Sequence, residues 1–118
     1  MTGRCLCGGV RFELAGPVRD VVVCHCSLCR RSGTLAGAYT AVRREGLRLS
    51  SSETLAWYAD VNGRDRGFCA TCGSTLFWSS SGDSTISVSA GALEGTTGLV
   101  VECHIFTSDA ADWEREPD

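Results

Sequence analysis

Apolar and polar residues alternate along much of the chain. In GVRFEL (9–14), Val10, Phe12 and Leu14 fall on one face and Arg11 and Glu13 on the other, the period-two pattern of a half-buried strand. Gly16-Pro17 ends it, because proline brings no N–H to a ladder and glycine readily takes turn conformations. Short apolar runs then recur: DVVVCHC (20–26), TLAGAYTAV (34–42), LRL (47–49), LAWYA (55–59), RGFC (66–69), TLFWS (75–79), TISVSA (85–90) and LVVECHIF (99–106). Their length and their β-branched and aromatic content predict strands. No ten-residue stretch carries a helical period. Only SDAADW (108–113) predicts a helical turn, with Ser108 or Asp109 as its N-cap. The fourteen glycines scatter among strand ends, as tight turns require. The expected fold class is all-β with little helix.

Length changes this picture little: 118 residues make one domain, 1–118, with a modest core. Cysteine content changes it more. Eight cysteines approach the density of a disulfide scaffold, yet the N-terminal MTGRCLCGGVRFEL has no apolar h-region or cleavage site. A cytoplasmic location is therefore expected, where clustered cysteines point to metal or redox chemistry rather than to structural disulfides. No run approaches eighteen apolar residues, so no membrane partner is expected. The formal charge is −3, and seven ionised thiols around two zinc ions would make the chain more acidic still. Arg30-Arg31 and Arg43-Arg44 are its only basic pairs. Nucleic acid is thereby disfavoured, since phosphate backbones need a basic stripe.

By spacing, the cysteines form CLC (Cys5, Cys7), CHCSLC (Cys24, Cys26, Cys29), CATC before Gly73 (Cys69, Cys72) and a lone Cys103. A CxxCG turn points two sulfurs at one ion, and the glycine relieves backbone strain beside it. The other half of a tetrahedron has an economical source in CLC. A Cys5, Cys7, Cys69, Cys72 site would clamp the first strand to a remote segment and replace missing core. CHCSLC is then left with three thiols. Either Cys103 or His104 closes that site, giving two shut zinc sites, or its fourth position stays open. In LVVECHIF, Cys103 shares a face with Val101 and Ile105, where a buried structural thiol belongs. That weighs against Cys103 as a ligand, but spacing leaves both alternatives standing.

GRCLCGGVRFEL, CHCSLCRRSGT, RGFCATCGSTLF, ISVSAGALEG and HIFTSDAADW occur in this order along nearly the whole chain. Together they resemble the glutathione-dependent formaldehyde-activating enzyme family, which is itself similar to centromere protein V. The resemblance implies a β-tent fold of short antiparallel strands stapled by a structural zinc, and two Zn2+ per chain. It implies that Cys5, Cys7, Cys69 and Cys72 hold the structural zinc. Cys24, Cys26 and Cys29 would hold a catalytic zinc whose fourth position is open to water or substrate, with Cys103 not a ligand.

Three thiolates leave zinc with a net charge of −1, a poor setting for making hydroxide. A fourth thiol suits it better, because coordination lowers the thiol pKa from near 8.5. The expected activity is formation or cleavage of a thiol–aldehyde adduct, with a small-molecule thiol and an aldehyde as partners. Arg30, with Arg31, is a candidate for a carboxylate on a peptide-like thiol. Gly33 and Thr34 are substrate-binding candidates by family position. His104, on a strand face with Val100, Glu102 and Phe106, matches the family's histidine before the terminal tryptophan segment and is a candidate proton shuttle. His25, between two ligands, is expected to point away from the metal, and Trp57, Trp78 and Trp113 are expected to pack. The alternative is a zinc-stabilised protein-interaction module without catalysis.

Overall fold

The computed structural model describes residues 1–114. The protein is nearly all β, as the alternation predicts. A three-stranded antiparallel sheet orders β1 (Thr2–Arg4), β2 (Val10–Leu14) and β5 (Leu47–Ser52). A seven-stranded sheet runs β10 (Val101–Ile105), β3 (Val21–Cys24), β4 (Gly37–Arg43), β9 (Thr85–Ser89), β8 (Thr75–Ser79), β7 (Asp65–Cys69) and β6 (Leu55–Ala59). In β2, Val10, Phe12 and Leu14 are buried and Arg11 and Glu13 exposed. Their inner face meets Val42 of β4, Leu76 and Phe77 of β8, and Ile86 and Val88 of β9. Phe12 and Phe77 join the two sheets edge to face, with centroids 5.3 Å apart and planes at 68°, a favoured aromatic geometry.

Four features depart from the sequence expectations. β1 was not legible, since only Gly3 of its three residues is buried. That glycine is required: a Cβ there would stand 2.3 Å from the Phe12 ring. A five-residue helix, α1 (Ser27–Arg31), follows β3, too short to show a period. The antiparallel expectation fails at one edge, where β10 pairs parallel to β3. All of β10 is exposed, Cys103 included. The expected buried thiol is therefore an exposed one: a register shift between Val101 and Cys103 breaks the alternation that put them on one face, and the outermost strand is left uncovered.

The C-terminal turn is also different. A 3-10 turn spans Thr107–Asp109, and neither Ser108 nor Asp109 caps it; the cap position is Phe106, in the left-handed region at φ 54°. Trp113 is 61 % exposed, so it is not a core residue. Trp57 stacks on Phe77 at 6.1 Å yet stays half-exposed. Among the described residues, no helix is long and apolar enough to cross a membrane.

Candidate metal centres and active site

The turn between β7 and β8 carries Cys69 and Cys72. It closes through Cys69 N–H donating to Ser74 O (3.0 Å) and Gly73 N–H to Cys69 O (2.8 Å). Gly73 sits at φ 80°, where a side chain would be strained. On the other side, Cys5 follows β1 and its sulfur accepts from Val10 N at 3.3 Å. Ser74 ties the two halves, its hydroxyl accepting from Leu6 N at 3.0 Å and lying 3.2 Å from Cys72 Sγ. The Thr54 hydroxyl lies 3.1 Å from Cys69 Sγ.

The sulfurs of Cys5, Cys7, Cys69 and Cys72 thus lie within 4.8 Å of one another, as the spacing argument expected. Cys5 and Cys7 sulfurs are 3.7 Å apart and those of Cys7 and Cys69 3.6 Å. A tetrahedron with Zn–S bonds of about 2.3 Å has edges of about 3.8 Å, so the set fits such an ion. Protonation agrees. The hydroxyl and N–H of Ser74 pull the Cys72 thiol down to about 5. Cys7 is pushed up to about 11, the Gly9 N–H opposing while the Cys69 sulfur, burial and the Cys5 sulfur raise it. Four thiolates side by side need a cation.

CHCSLC forms the second centre at the end of β3. Cys26 is the N-cap of α1 (φ −61°, ψ 157°), and its sulfur accepts from Cys29 N at 3.3 Å. The thiol takes the place of the usual Ser or Asp cap, which explains a helix without a hydrophobic stripe. The sulfurs of Cys24, Cys26 and Cys29 lie within 4.8 Å of one another. Burial pushes Cys29 up to about 12 and raises Cys24 as well. Burial also acts on Cys26, but the Cys29 N–H and the neighbouring sulfurs outweigh it and bring that thiol down. Keeping all three as thiolates again calls for a cation. Among the described residues, neither Cys103 nor His104 joins them as a fourth donor.

The three sulfurs open instead into a cavity of about 470 Å³. Its polar wall is not the one the sequence suggested. Arg30, Gly33 and Thr34 are absent from it. They follow Cys29 on the turn that ends α1, where Gly33 and Thr34 are exposed and Gly33 sits at φ 101°. Arg64 and Arg66 line the cavity with Tyr39, Asp60 and Trp78. Arg66 Nε donates to Asp60 Oδ2 at 2.9 Å. Asp60 Oδ1 accepts from Asn62 N (2.9 Å) and Arg64 N (3.1 Å). Burial pushes the Tyr39 hydroxyl up to about 12, so it remains a donor. The Arg64 guanidinium lies over Trp78, 5.9 Å from the ring centroid. These residues carried no sequence signal, because an arginine on a short strand or the turn before it is ordinary until the fold turns it inward.

His104 does not line this cavity either. Its Nδ1 lies 2.8 Å from Nε2 of His25, and His25 Nδ1 lies against Glu114 Oε1. His25 does turn away from the sulfurs, but into a buried position rather than onto the surface. With its N–H donating to Ile105 O at 3.0 Å, it pins the knuckle to the C-terminal segment.

The family model described as glutathione-dependent formaldehyde-activating enzyme matches residues 1–109. An uncharacterised lyase of Schizosaccharomyces pombe is 23% identical over 112 residues, covering 93% of this chain and 80% of its own. A crystal structure of a Rhodobacter sphaeroides protein from a structural-genomics programme superposes with a TM-score of 0.66. It is 28% identical and covers 83% of this chain and 92% of its own.

Proposed function

Since the chain belongs to the glutathione-dependent formaldehyde-activating enzyme family, we propose that it is a zinc-dependent carbon–sulfur lyase that forms or cleaves a thiol–aldehyde adduct. The observation that carries this reading is the three-sulfur centre facing a cavity with no fourth protein donor among the described residues. The lyase name of the yeast relative agrees with it. Cys5, Cys7, Cys69 and Cys72 hold a structural zinc, and Cys24, Cys26 and Cys29 a catalytic one. Bound there, zinc supplies a lowered pKa to an incoming thiol.

The chain's own residues do the rest. The cavity places the thiol sulfur against the aldehyde carbon; a C–S bond forms, the carbonyl π pair moves to oxygen, and oxygen takes a proton. Cleavage is the reverse: the hydroxyl proton leaves, C=O reforms and the C–S pair returns to sulfur. No oxidant is needed. Glutathione and formaldehyde are the first substrates to try, given the family's description.

The test is calorimetric titration of the zinc-loaded protein with glutathione and other cellular thiols, in two buffers of different ionisation enthalpy. At least one thiol should bind with proton release, and the signal should vanish in Cys26→Ser. If no thiol binds, the reading passes to a zinc-stabilised protein-interaction module without catalysis.

A further inference from the structure

Among the described residues, Arg66 is the one cavity arginine with a buried side-chain donor that has no partner. We propose that it is a catalytic residue of the three-sulfur site, its Nη1 donating a hydrogen bond to the oxygen of the thiol–aldehyde adduct. This rests on the reading above and adds the group that receives the oxygen.

Arg66 is 14% exposed at the side chain, and its ion-pair partner Asp60 only 3%. Asp60 is itself held by two backbone N–H groups, so the Nε contact fixes the direction of the guanidinium fork. Nη1 is buried and has no acceptor. Buried N–H donors are nearly always paired, and leaving one unpaired costs as much as desolvating it. Such a donor persists where an acceptor arrives from outside. Arg66 shares one cavity with Cys24, Cys26, Cys29 and Tyr39.

The chemistry asks for such a donor. When the C–S bond forms, the aldehyde oxygen gains the π pair and is an oxyanion until water protonates it; in cleavage the same oxyanion precedes C–S rupture. Arg66 transfers no proton in either direction. It stabilises charge that exists only between the end states, the kind of contact that lowers a barrier rather than KM. Removing one such donor elsewhere costs about 100- to 1,000-fold in kcat.

Binding gives a readout separate from turnover. Zinc-loaded wild type, Arg66→Gln and Arg66→Lys are titrated with ethanethiol and with 2-mercaptoethanol, which differ by one oxygen near sulfur. Wild type should prefer the oxygen-bearing thiol by about tenfold, the worth of a charge-assisted hydrogen bond. In both variants that preference should fall towards one, with ethanethiol affinity and two zincs per chain retained. Adduct formation should lose more in kcat than the roughly tenfold lost in binding. Arg66→Lys keeps a partner for Asp60 and carries the test should Arg66→Gln not fold. An unchanged preference in the variants overturns the role of Arg66 alone. So does loss of the second zinc, which would make Arg66 a prop for Cys29. A wild type that binds neither thiol overturns the lyase reading with it.

Discussion

The four-sulfur and three-sulfur centres use the same residue and the same two-residue turn, but they differ in where their sulfurs come from. Cys5 and Cys7 meet Cys69 and Cys72 across the whole length of the chain's first half, and Cys5 and Cys69 are part of the hydrophobic core. Cys24, Cys26 and Cys29 come from one continuous stretch at the end of β3 and the cap of α1. A centre built from remote segments closes long loops in the unfolded chain and so staples the fold. A centre built from one stretch closes almost none. It therefore contributes less to stability, and its fourth position is free to serve a ligand. The polar surroundings follow this division. Ser74 and Thr54 satisfy the sulfurs of the first centre, whereas the second faces a buried arginine with a donor to spare.

The largest expected effect tests that division directly. Cys69→Ser opens the long-range staple inside the core, so the protein should lose its cooperative melting transition and aggregate, with little zinc retained. Cys26→Ser removes one sulfur, while the serine hydroxyl can still cap the five-residue helix. It should melt cooperatively within a few degrees of wild type and carry one zinc per chain instead of two. Metal analysis and thermal melts of the two purified variants decide it. Equal collapse would mean that the comparison between staple and open site is wrong.

Much of the staple and little of the cavity could be read beforehand. Strands such as GVRFEL announce themselves because one face is buried and the other wet, and CxC and CxxCG announce a sulfur cluster that could hold an ion because such turns point their sulfurs together. Those signals are local. The parallel placement of β10 is not, and it left Cys103 exposed where the alternation placed it inside. The arginines were misassigned for the same reason. Arg30 adjoins the last sulfur in sequence, but α1 turns it off the wall, while Arg66 arrives from β7 by strand pairing that no spacing encodes.

A smaller effect probes the open side alone. Burial pushes the Asp60 carboxyl up, but Arg66 and the N–H groups of Arg64 and Asn62 outweigh it and hold it below its ordinary 3.8. A carboxyl held low stabilises the fold above its ordinary value and loses that contribution as pH falls through its folded one. Asp60→Asn should thus cost about 2 kcal/mol at pH 7 and leave both zincs in place. Denaturant titrations of the two zinc-loaded proteins at pH 7, with metal analysis, measure it. An unchanged stability would detach Asp60 from the guanidinium it is said to hold, and a lost zinc would show that the two centres share more than a core.

The smallest effect belongs to Cys103, and it bears on whether the second centre is open at all. Eight cysteines would make two four-sulfur tetrahedra, and Cys103 is the one sulfur that neither cluster includes. It sits on β10 opposite Val22 rather than opposite Cys24, whose partner on that strand is Ile105. Being exposed, it fills no cavity that truncation would open, so Cys103→Ala should change stability by less than about 0.5 kcal/mol. Both zincs and thiol binding should be retained. If the variant instead carries a single zinc, β10 slides to deliver a fourth sulfur, the two centres are alike, and the contrast between a closed staple and an open site disappears.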